Sequence, residues 1–103
     1  MSLVAVDLDT LARVGDALAD PTRRAVLAEL VAGPGYPAQL AEQIGVSRSG
    51  LSNHLACLRG CGLVTATYEG RRVRYELADP SIGEALVALS RLPLGPCPED
   101  DRP

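Results

Sequence analysis

The sequence predicts a mainly helical α+β domain, about five helices with one two-stranded β-hairpin, and three observations carry that prediction. Apolar residues recur at helical spacing from Leu8 to Leu58. Glycines and prolines interrupt that stretch where helices must start and stop. Beyond Gly62, two β-branched and aromatic runs flank Glu69-Gly70-Arg71. A chain of 103 residues fits one small domain. Such a domain buries a limited share of its surface, so a homodimer is expected.

Leu8, Leu11, Ala12 and Leu18 give a first amphipathic helix from about Leu8 to Leu18, its acids outside. Asp20 caps a second helix with Pro21 at its first position, where a missing N–H costs nothing. Val26, Leu27, Leu30 and Val31 supply its buried face, and Gly33-Pro34-Gly35 ends it. Pro37 opens a short third helix carrying Leu40, Ala41 and Ile44, closed by Gly45 in the left-handed position. After the turn Val46-Ser47, Ser47 caps a fourth helix from Arg48 to about Gly60. Two helices joined by a short Gly-containing turn make a helix-turn-helix, with the fourth helix as reader. Leu63–Tyr68 and Arg72–Leu77 pair as a hairpin wing. A last helix begins at Asp79 or Pro80, repeats Ile82, Leu86 and Leu89, and stops at Pro93. Residues 1–92 are thus expected to form a winged helix-turn-helix DNA-binding and dimerisation domain. Residues 93–103 are expected to be a Pro-rich acidic tail, extended or disordered, carrying one candidate ligand.

The formal net charge is −3, but its distribution is uneven. Pro21 to Tyr75 holds seven Arg and three Glu, a net +4, between segments of −3 and −4. A basic reading surface between acidic segments suits local phosphate contacts. No apolar run is long enough to span a bilayer, and the N-terminus lacks a secretory pattern, so a cytoplasmic location is expected. An enzyme acting on a small organic substrate finds little support. There is one His, no paired catalytic carboxylates and no Gly-rich phosphate loop after a strand.

On a helical wheel Leu51, Leu55 and Leu58 share a narrow sector and pin the fourth helix to the core. Arg48, Ser49, Ser52 and Asn53 occupy other sectors near its N-terminal end, the part that enters the major groove in such proteins. With Ser47 they are the candidate contacts to double-stranded operator DNA. Arg favours guanine and Asn adenine, each bidentate pair discriminating by about 1–3 kcal/mol. Arg71 and Arg72 at the wing tip are expected at phosphate or in the minor groove. His54 reads as a DNA contact or plain surface ahead of a nitrogen ligand.

Cys57 and Cys61 stand off the leucine stripe on the same helix. Their i, i+4 spacing puts β-carbons about 5–6 Å apart, close enough for two thiolates to share one metal ion. A disulfide needs about 3.8 Å, which an undistorted helix does not offer. The competing reading is two ordinary buried thiols, since Cys packs as a small hydrophobe. Cys97, within Leu94-Gly95-Pro96-Cys97-Pro98, has no helix or strand to justify it by packing. If the tail folds back it adds a third soft ligand. Thiolate-only coordination selects Cd(II) or Pb(II), with Zn(II) competing and As(III) also suited to three sulfurs. An oxidative switch, with Cys97 bridging to Cys57 or Cys61, is the alternative that keeps DNA binding.

The pattern Ala19-Asp20-Pro21-Thr22-Arg23, then Leu40-Ala41, then Ser47-x-Ser49-x-Leu51-Ser52-Asn53-His54-Leu55-x-x-Leu58, then Gly62-Leu63-Val64 and Gly70-Arg71-Arg72-Val73-Arg74-Tyr75, resembles the ArsR/SmtB family of metal-responsive repressors. More narrowly, Tyr36-Pro37, the stretch from Asn53 to Val64 and Ala66–Arg71 resemble its cadmium- and lead-sensing branch. The resemblance implies that Cys57, Cys61 and Cys97 are the metal ligands, the tail cysteine coming from the other subunit. It also implies a homodimer, packed through the first and last helices, that holds a palindromic operator without metal and loses affinity with it. The last helix departs from the family's zinc site: it has no His and offers only Asp79 and Glu84, so no site is assigned there. Nor does Tyr36 to Ile44 contain the Cys-x-Cys pair of other branches.

Overall fold

The computed structural model describes residues 5–97. Its elements are α1 (Leu8–Leu18), α2 (Pro21–Ala32), α3 (Pro37–Ile44), α4 (Arg48–Gly60), β1 (Val64–Glu69), β2 (Arg72–Leu77) and α5 (Pro80–Ser90). The expected caps set these bounds. Asp20 accepts from the Arg23 N–H, Ser47 Oγ from the Gly50 N–H, and Asp79 from the Ser81 N–H, each satisfying an orphan donor of a first turn. Gly45 ends α3 at φ 88°, a left-handed conformation in which a β-carbon would clash. α5 ends at Ser90, short of Pro93, and Arg91 caps it.

Leu27, Leu40, Leu51, Leu55 and Leu58 form the centre of one core, closed by Val26, Leu30, Leu63 and Val64. α2 lies at the middle and meets α1, α3, α4, α5 and β2. Val31, expected on its buried face, is exposed. In α1 the spacing of Leu8 and Leu11 does not mark the core-facing side. They are 75% and 54% exposed, while Ala17 with Val14 and Leu18 seats the helix. α5 has no fully buried residue; Ile82 and Leu86 rest against the core and Leu89 faces out. Between α1 and α5 lies an apolar hollow of about 320 Å³, lined by Val14, Leu27, Leu63, Ile82 and Leu86 and reached by Cys61.

β1 and β2 pair antiparallel from Val64 opposite Leu77 to Glu69 opposite Arg72, with Gly70 turning the tip at φ 63°. Gly35 joins this wing as a bridge: its N–H donates to the Tyr75 carbonyl at 2.9 Å, and the Tyr75 N–H donates back at 2.8 Å. The tail is described through Cys97, without regular secondary structure. The rest of the expected tail lies outside the described residues.

Candidate metal centre and nucleic-acid interface

Three leucines fix the roll of α4. Leu51, Leu55 and Leu58 are buried, while Ser47, Arg48, Ser49, Ser52 and Asn53 stand outside that stripe at the N-terminal end. All five are exposed, clustered at the helix start as a major-groove reader requires. Arg71 and Arg72 are exposed at the wing tip. They meet Arg48 around one hollow of about 460 Å³ that Tyr36 and Gln39 complete. Helix start and wing thus offer three guanidinium groups to one surface, and among the described residues no acid lines it.

His54 departs from this set. Its Nδ1 lies 3.6 Å from Asp20 Oδ2 and its side chain is only 28% exposed, so it faces the junction of α1 and α2. Asp20 sits below the usual carboxylate range because it accepts the Arg23 N–H, with His54 and the Arg23 charge adding to that.

Two constraints on this interface went unread in the sequence. Arg23 and Arg24 cap the carboxyl end of α1: Arg23 donates to the Asp16 and Ala17 carbonyls at 2.7 and 3.3 Å, and Arg24 to Leu18 at 2.8 Å. Ala19-Asp20-Pro21-Thr22-Arg23 is therefore a double cap, ending one helix and starting the next. The wing is clamped by Tyr36, whose hydroxyl donates to Glu69 at 2.9 Å while Arg72 stacks 3.7 Å above its ring. Arg74 Nε approaches the other Glu69 oxygen at 3.2 Å as an ion pair without hydrogen-bond alignment. The Tyr36-Pro37 pair was a visible signal, but its partners lie far along the chain.

Cys57 and Cys61 sit at the other end of α4, side by side and half-buried. Cys61 is the helix cap, and its N–H donates to the Cys57 carbonyl at 3.0 Å. The helical wheel set both thiols off the core face; in the fold, Cys61 packs against the core's edge beside α1. Burial pushes the Cys61 thiol up. The neighbouring Cys57 sulfur adds to this by charge and hydrogen bonding, Asp16 by charge, and Arg13 opposes them. Cys97 is exposed. Among the described residues of one chain, no three His, Cys, Asp or Glu side chains converge. The pair alone presents two sulfurs and no carboxylate or imidazole, a donor set that suits soft thiophilic ions.

Residues 20–66 match the model of the arsR family of bacterial regulatory proteins. The chain is 60% identical over 84 residues to the HTH-type transcriptional regulator CmtR of Mycobacterium tuberculosis, covering 82% of this chain and 71% of that protein. The structure matches the NMR structure of the cadmium metal-sensor CMTR from that organism at TM-score 0.69 and 56% identity, over 86% of this chain and 92% of that one. A probable mercury resistance operon repressor of Streptomyces lividans is 42% identical, covering 81% of this chain and 66% of that protein. The homodimeric winged helix-turn-helix DNA-binding domain of Mb0332 from Mycobacterium bovis matches at TM-score 0.75 and 32% identity, over 81% and 77% of the two chains. With the cap motifs, the pinned reading helix, the wing and these relatives in agreement, the chain belongs to the ArsR family of bacterial regulatory proteins.

Proposed function

We propose that this protein is a metal-responsive transcriptional repressor, a cytoplasmic homodimer that holds operator DNA when metal-free and releases it on binding Cd(II) or Pb(II). Zn(II) and As(III) are the next ions to test. The observation that carries this reading is the thiol pair Cys57 and Cys61 on the same helix whose start presents Arg48, Ser49, Ser52 and Asn53. A cadmium sensor among the similar structures supports the choice of ion.

Leu8 and Leu11 on α1 and Leu89 on α5 remain exposed beside an apolar hollow, which suits packing against a second copy through those helices. Two reading helices would then stand about one DNA turn apart, with Ser47, Arg48, Ser49, Ser52 and Asn53 at base edges and phosphates and Arg71 and Arg72 on the backbone. Cys57 and Cys61 would hold the ion, with Cys97 from the partner's tail as third ligand. A bound soft cation supplies a centre that favours thiolate over thiol. Drawing Cys61 from its place at the core's edge disturbs the helix cap it forms. By linkage, operator and ion must weaken each other by the same factor.

The test is a cadmium titration of the reduced protein followed by thiolate-to-metal absorption, with Cys57→Ser, Cys61→Ser and Cys97→Ser alongside, then operator retardation with and without the ion. Three thiolates per site, each substitution lowering the band, and loss of retardation on loading are the expected results. Peroxide releasing the operator while cadmium does not would replace this reading with a redox switch.

A further inference from the structure

An exposed side chain of α1, Arg13, reaches across to the cysteine end of α4. Arg13 Nη1 donates to the Cys61 carbonyl at 3.1 Å, and its Nε lies 3.8 Å from Asp9 one turn earlier. The acceptor is an orphan carbonyl at the helix end, where a cation is favoured by the helix dipole. It belongs to the same residue whose thiol adjoins Cys57. Gly62 follows in a left-handed conformation, φ 83°, and leaves the guanidinium an open approach. Arg13 also lines two hollows that share Cys61, one opening between α1 and α5 and one toward Asp16 and Ala19. One guanidinium therefore ties the backbone of a thiol-bearing residue to the helix that exposes Leu8 and Leu11.

Resting on the repressor reading above, we propose that Arg13 is a positioning residue that transmits the state of the Cys57 and Cys61 thiols to α1. The carbonyl it holds is fixed to the α-carbon that carries the Cys61 side chain, so a change in that side chain's rotamer or in the cap's dihedrals moves the acceptor. Arg13 follows and carries α1, which alters how α1 sits against α4 and with it the spacing of reading helices across an α1 interface. Without the bond, α1 keeps its seat on Val14, Ala17 and Leu18 and does not follow. Asp9, exposed and 3.8 Å from Nε, adds only a weak attraction to the guanidinium, so the Cys61 carbonyl is the contact that places it.

Arg13→Met keeps the length of the side chain and removes its donors; Arg13→Lys keeps a donor and the charge. In the metal-free protein, the ¹³C shift of the Cys61 carbonyl should move in Arg13→Met and stay near wild type in Arg13→Lys. Both variants should show the full cadmium-thiolate band. Operator affinity is then measured by fluorescence anisotropy with and without cadmium. Wild type should show a ratio within the roughly 5–150-fold span of allosteric couplings. Arg13→Met should bring that ratio to within about threefold of unity with metal-free affinity little changed, and Arg13→Lys should restore most of it. A merely structural cap would lower thermal stability and leave the ratio alone. An intact band with an unchanged ratio in Arg13→Met overturns the inference. A wild-type protein without the band, or with the band and no ratio, instead overturns the repressor reading and takes the transmission role with it.

Discussion

Replacing Gly35 by Ala tests how the wing is hung on the helical body. A β-carbon there would come within 2.9 Å of Leu40 Cδ2, 3.0 Å of Cγ and 3.2 Å of Cδ1. Leu40 is 1% exposed and held in the core, so it cannot swing into solvent. Relief must come from strained packing or from moving Gly35 off Tyr75. Overpacking a filled core costs about 1–3 kcal/mol. Releasing the two backbone bonds to Tyr75 costs about 0.5–1.5 kcal/mol each, which is the same range. At about 4–8 °C per kcal/mol for a small domain, the melting temperature should fall by roughly 5–20 °C. Circular dichroism melts in reducing buffer read this directly. Because β2 carries Arg72 and Arg74 on either side of Val73, loosening Tyr75 should also flatten the salt dependence of operator binding. Gly60→Ala is the control: nothing lies within 4 Å of its added carbon, and a helical Ala should gain up to about 1 kcal/mol. A Gly35→Ala protein melting within about 2 °C of wild type refutes the steric reasoning, whatever its DNA affinity.

Asp7, Asp20 and Asp79 each cap a helix and are held below the ordinary carboxylate value, by the Thr10 N–H, the Arg23 N–H and the Ser81 hydroxyl respectively as first cause. Their folded pKa values lie below the unfolded one, so their stabilisation is complete above the ordinary value of 3.8 and is lost as pH falls through the folded values. Melting curves taken down to strong acid should show this loss for wild type, and parallel curves for Asp20→Asn and wild type would contradict it. Cys61 is shifted the other way, so its thiol stays protonated at neutral pH and must lose that proton to bind metal. Cadmium affinity should therefore rise with pH, and titration in weak buffer should acidify the solution less in Cys61→Ser; no acidification at all would rule the thiols out as ligands. Leu11→Asp, on the exposed face of α1, should sediment as a folded monomer and lose operator affinity, and a dimer in its place would move the interface elsewhere. Arg71→Ala and Arg72→Ala should each reduce the log–log salt slope by about 0.9 if each contacts one phosphate; an undiminished slope would take the wing off the backbone.

Element boundaries were legible because they are set locally. Asp20, Ser47 and Asp79 cap with their own side chains, and Gly45 and Gly70 occupy left-handed turns that few other residues adopt. Long-range partners were not legible. The spacing of Leu8 and Leu11 reports an apolar face but not whose core it meets, and here it points away from this chain's own. The wheel put Cys61 off the main core face, and it stands half-buried at that core's edge; what the wheel could not show is the α1 contact there, since Arg13 comes from another helix. His54 reads from sequence as a DNA contact or plain surface; its partner Asp20 lies on another element and no periodicity links them. The Tyr36, Glu69 and Arg74 clamp likewise joins residues that only the closed fold brings together. Charge segregation gave the basic middle of the chain, but not that Arg23 and Arg24 within it donate to α1's terminal carbonyls.

α4 has 13 residues, about 20 Å of rigid rod at 1.5 Å per residue. Its reading residues lie toward one end and its thiols toward the other, with buried Leu51 among the readers and buried Leu58 between the thiols. A helix held along its length moves as one body. A tilt of about 5° about its middle would displace each tip by about 0.9 Å in opposite directions, more than the spread of lengths an N–H···O bond tolerates. A small displacement at the cysteine end would therefore be felt at the serine end without any unfolding between.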